Sequence, residues 1–192
     1  NGNHEHRMKV KPEIYGETYK EYQRWLLDRG VHFLENDREE IEICGMKITL
    51  YGLELSQKYF SRLAHGKKLT LQEMEYYLGK KKRDEYAIVL AHNPVFFPVY
   101  AAWGADLVCS GHLHGGMVRI PGIGGIISPQ MCFFPKYDRG RYKIEGSEMI
   151  VSAGLGAHTI PFRPFNPIEL IHIELTNEKE ITQSQVRMVK WK

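Results

Sequence analysis

Gly111-His112-Leu113-His114-Gly115 places two imidazoles two residues apart, directly after the apolar run Ala105–Ser110, which reads as a buried strand. Side chains at i and i+2 of an extended segment point the same way, so both rings could reach one metal centre or two adjacent ones. The flanking glycines allow the backbone to turn sharply there. Gly2-Asn3-His4-Glu5 opens the sequence, and Ala91-His92-Asn93-Pro94 follows a second apolar run, Tyr86–Leu90. Each of the three is expected where a strand runs into a loop. In open α/β sheets ligands bind outside the carboxyl ends of the strands, so three such loops carrying Asn and His imply one composite site. Imidazole nitrogen with amide oxygen suits Mn, Fe or Zn better than Mg or Ca. A single histidine more often satisfies a local hydrogen bond. Three motifs together argue against that reading.

Through Gly2-Asn3-His4-Glu5, His92-Asn93-Pro94 and Gly111-His112-Leu113-His114 the sequence resembles the calcineurin-like metallophosphoesterases. Gly115–Gly124, Ser152–Gly156 and Phe165–Leu170 are similar to the bacterial phosphodiesterase branch of that family. The resemblance runs from residue 1 to about residue 175, with residues 5–85 matching in general layout only. It implies a layered α/β/β/α sandwich that hydrolyses phosphoesters, diesters above all, by in-line attack of a hydroxide shared by two divalent ions of Mn, Fe or Zn. On this resemblance Asn3, His92 and His112 are ligands of one ion, His114 is a ligand of the other, and His4 is the catalytic, phosphate-facing residue.

The family also carries Asp-x-His and Gly-Asp-x-x-Asp motifs ahead of the Gly-Asn-His-Glu motif, and the sequence contains neither. The expectation is therefore a single domain, residues 1–192, lacking its first strand–helix units and inactive by itself. A carboxylate shared by two ions holds them about 3.5–4 Å apart, where they grip the attacking and leaving oxygens. His114 alone falls short of the three protein ligands that a catalytic centre uses. The rival expectation is a non-catalytic metal- or phosphate-binding module on the same fold, since function lives in the site. A zinc regulator would want a closed shell with Cys ligands, which this spacing does not offer.

Several residues near the motifs have plainer uses. Glu5 is expected to complement the first turn of a helix. Arg119 is a possible phosphate contact, and Arg163 a second; for each, an ion pair or backbone carbonyls are the commoner partners. Leu113 stands where the family often has Thr, and Met117 where the branch often has Gln, departures that bear on substrate class. Nucleotides, lipid-linked diphosphates, cell-wall phosphates and proteins all present the same anionic centre, so the partner is expected to be a small-molecule or polymer phosphoester.

The 192 residues are 43% hydrophobic and 26% charged, an ordinary globular balance able to bury a core. A net charge of +3 gives no specific nucleic-acid signal, and Lys80-Lys81-Lys82-Arg83 reads as a solvated loop. Cys44, Cys109 and Cys132 lack Cys-x-x-Cys spacing, so reduced, buried thiols are expected. No stretch has the ~18 apolar residues of a membrane span. The expected location is a soluble domain in the cytoplasm or at the membrane or cell envelope of a bacterium, with membrane association only through a segment upstream.

The elements that must position these motifs follow from periodicity. Tyr15, Tyr19, Tyr22, Trp25 and Leu26 predict one amphipathic helix between Pro12 and Gly30 with an aromatic stripe in the core. Val31–Leu34, Glu40–Cys44 and Lys47–Tyr51 read as short strands, with a turn at Gly45. Thr70-Leu71-Gln72-Glu73 is a capping box that starts a helix ending near Leu78. Strands are expected at Asp106–Cys109, Met117–Ile120, Tyr142–Ile144, Met149–Val151, Leu170–Leu175 and Ser184–Val189. Helices before residue 80 and strands after it fit an α/β class.

Overall fold

The computed structural model describes residues 1–43, 45–60, 66–120, 122–128, 132–156, 163–175 and 185–190, the last without side chains. The chain opens with three helices, α1 (Asn3–Val10), α2 (Pro12–Tyr15) and α3 (Thr18–Leu27). The single helix expected between Pro12 and Gly30 is two, because Gly16 takes a left-handed φ of 56° and closes α2. The aromatic stripe is mostly not in the core. Tyr19 is buried, whereas Trp25 is 54% exposed and stacks under the Arg29 guanidinium, 3.9 Å from its ring centroid.

β1 (Asp37–Ile43) and β2 (Met46–Leu53) form the expected antiparallel hairpin, turning at Gly45 with φ 75°. Cys44 lies outside the described residues. Val31–Leu34 is not a strand. That segment instead crosses β2 so closely that a Cβ on Gly52 would lie 2.0 Å from the Leu34 carbonyl oxygen. α4 (Leu71–Leu78) begins as predicted, with Thr70 Oγ1 accepting from the Glu73 N–H at 3.2 Å and the Glu73 carboxylate accepting from the Thr70 N–H at 3.1 Å. β3 (Tyr86–Ala91) is followed by α5 (Phe97–Trp103), a helix beyond residue 80 that the sequence reading did not anticipate.

The remaining strands are β4 (Leu107–Ser110), β5 (Val118–Ile120), β6 (Gly124–Ile127), β7 (Gly140–Ile144), β8 (Ser147–Val151), β9 (Glu169–Glu174) and β10 (Gln185–Lys190). Each expected strand from residue 106 onward is present within three residues of its predicted bounds, and Ser184 itself lies outside the described residues. The fold is a mixed α/β arrangement around a six-stranded sheet of order β1-β2-β3-β4-β8-β7. The four inner strands run parallel, and the two edge strands run antiparallel to their neighbours.

The inner strands read as continuous apolar runs because both their faces are covered. On one face Tyr51, Val89, Val108, Met149 and Val151 pack with Met74 and Leu78 of α4 and Phe97, Tyr100 and Trp103 of α5. On the other, Ile48, Ile88, Leu107 and Ile150 meet Ile171 and Ile173 of β9. Among the described residues no helix is long and apolar enough to cross a membrane. Cys109 is half-buried and Cys132 exposed, both free thiols, so the expectation of buried cysteines fails at Cys132.

Candidate metal centre

β3 and β4 are parallel neighbours, so their carboxyl ends lie side by side and deliver His92 and Gly111-His112 to the same place. The Gly111 N–H donates to the His92 carbonyl at 3.2 Å, and Ser110 Oγ donates to the Ala91 carbonyl at 2.6 Å, tying the two ends together. Asn3 reaches the same point from elsewhere. It is the first residue of α1 rather than part of a strand-end loop, with Gly2 as the cap. Asn3 Oδ1 lies 3.2 Å from His92 Nε2 and 3.1 Å from His112 Nδ1, and the two imidazole centroids are 5.0 Å apart.

His112 and His114 do not project from an extended strand as their spacing suggested. β4 ends at Ser110, and the two histidines take left-handed φ values of 68° and 51°. The turn between them sends Leu113 into the core, 2% exposed. His112 is buried and joins Asn3 and His92, while His114 is half-buried one step further on. His4 is exposed on α1. Burial pushes the His92 ring down to about 4, opposed by Glu5 and helped by the positive charge His114 and His4 would carry. The ring is therefore neutral at pH 7 and can offer a nitrogen lone pair to a cation.

Glu5 takes the structural role expected of it, its Oε2 accepting from the Gly2 N–H at 3.0 Å. Gly2 has no room for a side chain, because a Cβ would come within 2.8 Å of that carboxylate and 3.0 Å of the His92 ring. Arg119 is bound to Asp138 at 2.6 Å and to the Gly115 carbonyl at 3.2 Å. Arg163 donates to the carbonyls of Gly154, Gly156 and Ala153, the carbonyl partnership that its type suggested.

Sequence reasoning missed two parts of the surroundings. Phe60 lies edge-on to His112 with centroids 5.0 Å apart and 6.0 Å from His92, an apolar wall with no signal in its sequence neighbourhood. Beneath α1 lies a charged network. Lys9 Nζ contacts Glu35 Oε2 at 2.6 Å and Glu54 Oε2 at 2.9 Å, and His6 Nδ1 lies 3.1 Å from Glu54 Oε1. Asn1 and the Tyr19 hydroxyl donate to the same carboxylates. Burial alone would raise Glu54, but the hydrogen bonds from Lys9, Asn1 and His6 outweigh it and hold the carboxyl below its usual range. The partners are 26 and 45 residues apart in sequence from Lys9, a separation no local pattern can span.

Two imidazole nitrogens and one amide oxygen thus converge on one point, a donor set that fits a single Mn, Fe or Zn ion. In the tautomer that donates to Asn3 Oδ1 each ring carries its proton on the nitrogen facing that oxygen, and moving the proton to the other ring nitrogen frees the lone pair a cation needs. Among the described residues no group of three or more His, Cys, Asp or Glu is placed to hold a metal ion, and the set at Asn3, His92 and His112 has an amide as its third donor.

Part of the chain is similar to a metallophosphoesterase: 32% identical over 78 residues, which is 41% of this chain and 27% of that protein. The relative is the uncharacterized metallophosphoesterase YkuE of Bacillus subtilis (strain 168). No family model matches the chain, and no solved structure matches it.

Proposed function

We propose that this chain carries part of the active site of a metal-dependent phosphoesterase that acts on phosphodiesters. The observation that supports this reading is Asn3 Oδ1 standing within 3.2 Å of His92 Nε2 and 3.1 Å of His112 Nδ1, at the carboxyl ends of two adjacent parallel strands. The partial similarity to a metallophosphoesterase points the same way.

In this reading Asn3, His92 and His112 hold one divalent ion and His114 contributes to a second. Bound there, the ions would neutralise the phosphate oxygens and lower the pKa of a water toward ~7. The chain's own residues do the rest. His92, kept neutral by burial, stays a ligand at pH values where an exposed imidazole would be protonated. His4, exposed on the first turn of α1, would face the phosphate and act as the proton donor to the leaving oxygen. Phe60 excludes water from the inner side of the histidine pair. Arg119 would have to share its guanidinium between Asp138 and a phosphate oxygen.

The rest of the second ion's shell, and the first strands of an α/β/β/α sandwich, belong in this reading to the complete protein, so the 192 residues alone are inactive. A second reading, a non-catalytic module that binds one metal or a phosphate, needs only the single set of Asn3, His92 and His112.

The test is metal content by elemental analysis and hydrolysis of a chromogenic phosphodiester with Mn, on this chain and on the full-length gene product. Two metals with turnover only in the longer form supports the enzyme. No turnover in either form, with one metal or none, leaves the binding module.

A further inference from the structure

The turn that carries His112 and His114 is strained, and something must hold it. Two non-glycine residues with left-handed φ within three positions persist only where their surroundings over-determine them. Leu113, pegged in the core, fixes one point of the turn. The other side is gripped from about 50 residues away. Asn166 is 1% exposed, and its Nδ2 donates to the His114 carbonyl at 2.5 Å and to the Gly116 carbonyl at 3.0 Å. Arg163 Nη2 adds a longer contact to the same His114 oxygen at 3.4 Å.

Asn166 also packs against the turn itself, since a Cβ on Gly115 would lie 2.6 Å from Asn166 Oδ1. The grip is anchored in its turn. The Asn166 N–H donates to the Arg163 carbonyl at 3.2 Å, and buried Glu169 accepts from the Ala153 N–H at 2.7 Å while lying 3.3 Å from Arg139 Nε. The segment after β8, the start of β9 and the histidine turn are thereby joined, through the Glu169 carboxylate, the Arg163 guanidinium and the Asn166 amide.

We infer that Asn166 is a positioning residue for the metal centre: its side-chain amide, backed by Arg163, holds the His112–His114 turn in the conformation that aims His112 Nδ1 at Asn3. This rests on the reading that Asn3, His92 and His112 bind a metal ion. A polar side chain so buried, with both N–H donors spent on the carbonyls of one turn, serves the geometry of that turn more than the general core.

The experiment is a Co(II) titration of the 192-residue chain, followed by the visible absorption of the bound ion, with hydrogen exchange of the metal-free protein alongside. Asn166→Asp keeps the shape but cannot donate to either carbonyl. It should weaken Co(II) about 10–100-fold, change the visible spectrum, and speed exchange at residues 113–116 while β3 exchanges as before. Should the buried carboxylate unfold the chain, Asn166→Ser removes the same donors without adding charge and is read identically. His92→Ala is the control for the metal reading. Loss of Co(II) in His92→Ala with affinity and spectrum unchanged in the Asn166 variant overturns the positioning role alone. Retained Co(II) binding in His92→Ala overturns the metal reading, and the positioning role with it.

Discussion

The two sides of the candidate centre are held by different forces. Asn3 rides on α1, and α1 is fastened by charge: Lys9 bridges Glu35 and Glu54, with His6 Nδ1 3.1 Å from Glu54 Oε1. His112 rides on a turn fastened by neutral hydrogen bonds from an amide, with a guanidinium giving only carbonyl contacts. A buried charge pair is costly to break and responds to pH, whereas amide-to-carbonyl bonds do neither to the same degree. The side of the centre held directly by charge is therefore the more sensitive to pH, the turn side having its ion pair one step back at Glu169 and Arg139, although both must be right for the three donors to meet.

The largest expected effect comes from His92, which touches both sides. Its ring titrates at 6.5 when unfolded and at about 4 when folded. Between those values the unfolded chain binds the proton and the folded chain does not, so stability falls as pH falls from 6.5 to about 4, then levels. The loss should total on the order of 3 kcal/mol in urea titrations across that window, and His92→Gln should remove it. Glu54 and Glu35, held low, supply stability that is present above their unfolded values and disappears only as pH drops through their lower folded values. A single acid transition identical in His92→Gln would contradict this two-window picture.

Glu54→Gln should come next, losing about 2 kcal/mol as charge-assisted bonds become neutral ones, and shrinking the lower acid window to the part that Glu35 carries while leaving the upper. An acid response unchanged in the variant would show that the α1 carboxylates do not carry it. Gly2→Ala should cost about 1–2 kcal/mol, since its Cβ meets the Glu5 carboxylate and the His92 ring at 2.8 and 3.0 Å. Metal affinity should drop in the same variant, because the ring must move. Trp25→Ala, on the exposed part of the helical stripe, should change stability by less than about 0.5 kcal/mol. A larger loss would place that stripe in contact with something that holds α3.

How much was legible follows the same division. The strands that end at Ala91 and Ser110 are apolar runs bounded by Gly, Asn and Pro, and periodicity finds them within a residue. The meeting of His92 with His112 follows once those strands are parallel neighbours. What carries Asn3 was misread, because Gly2 closes a helix cap instead of ending a strand. The left-handed turn at His112 was hidden because residues other than glycine seldom take that conformation, and here distant Asn166 imposes it. The α1 network was invisible for the same reason: its members are ordinary surface types whose partners are dozens of residues away. The helix from Pro12 was overextended because a single glycine outweighed a good aromatic periodicity.

The edge strand β1 has one more consequence. Five of its seven residues, Asp37, Arg38, Glu39, Glu40 and Glu42, are charged, four of them acidic. Two copies of this molecule that met edge to edge would bring like-charged rows together along an otherwise open line of backbone donors and acceptors. With Glu40 paired to Lys82 and Glu39 beside His32, the remaining acidic charge disfavours strand addition at this edge without covering it, so aggregation during refolding should be slowest at low ionic strength and should accelerate as salt screens that row.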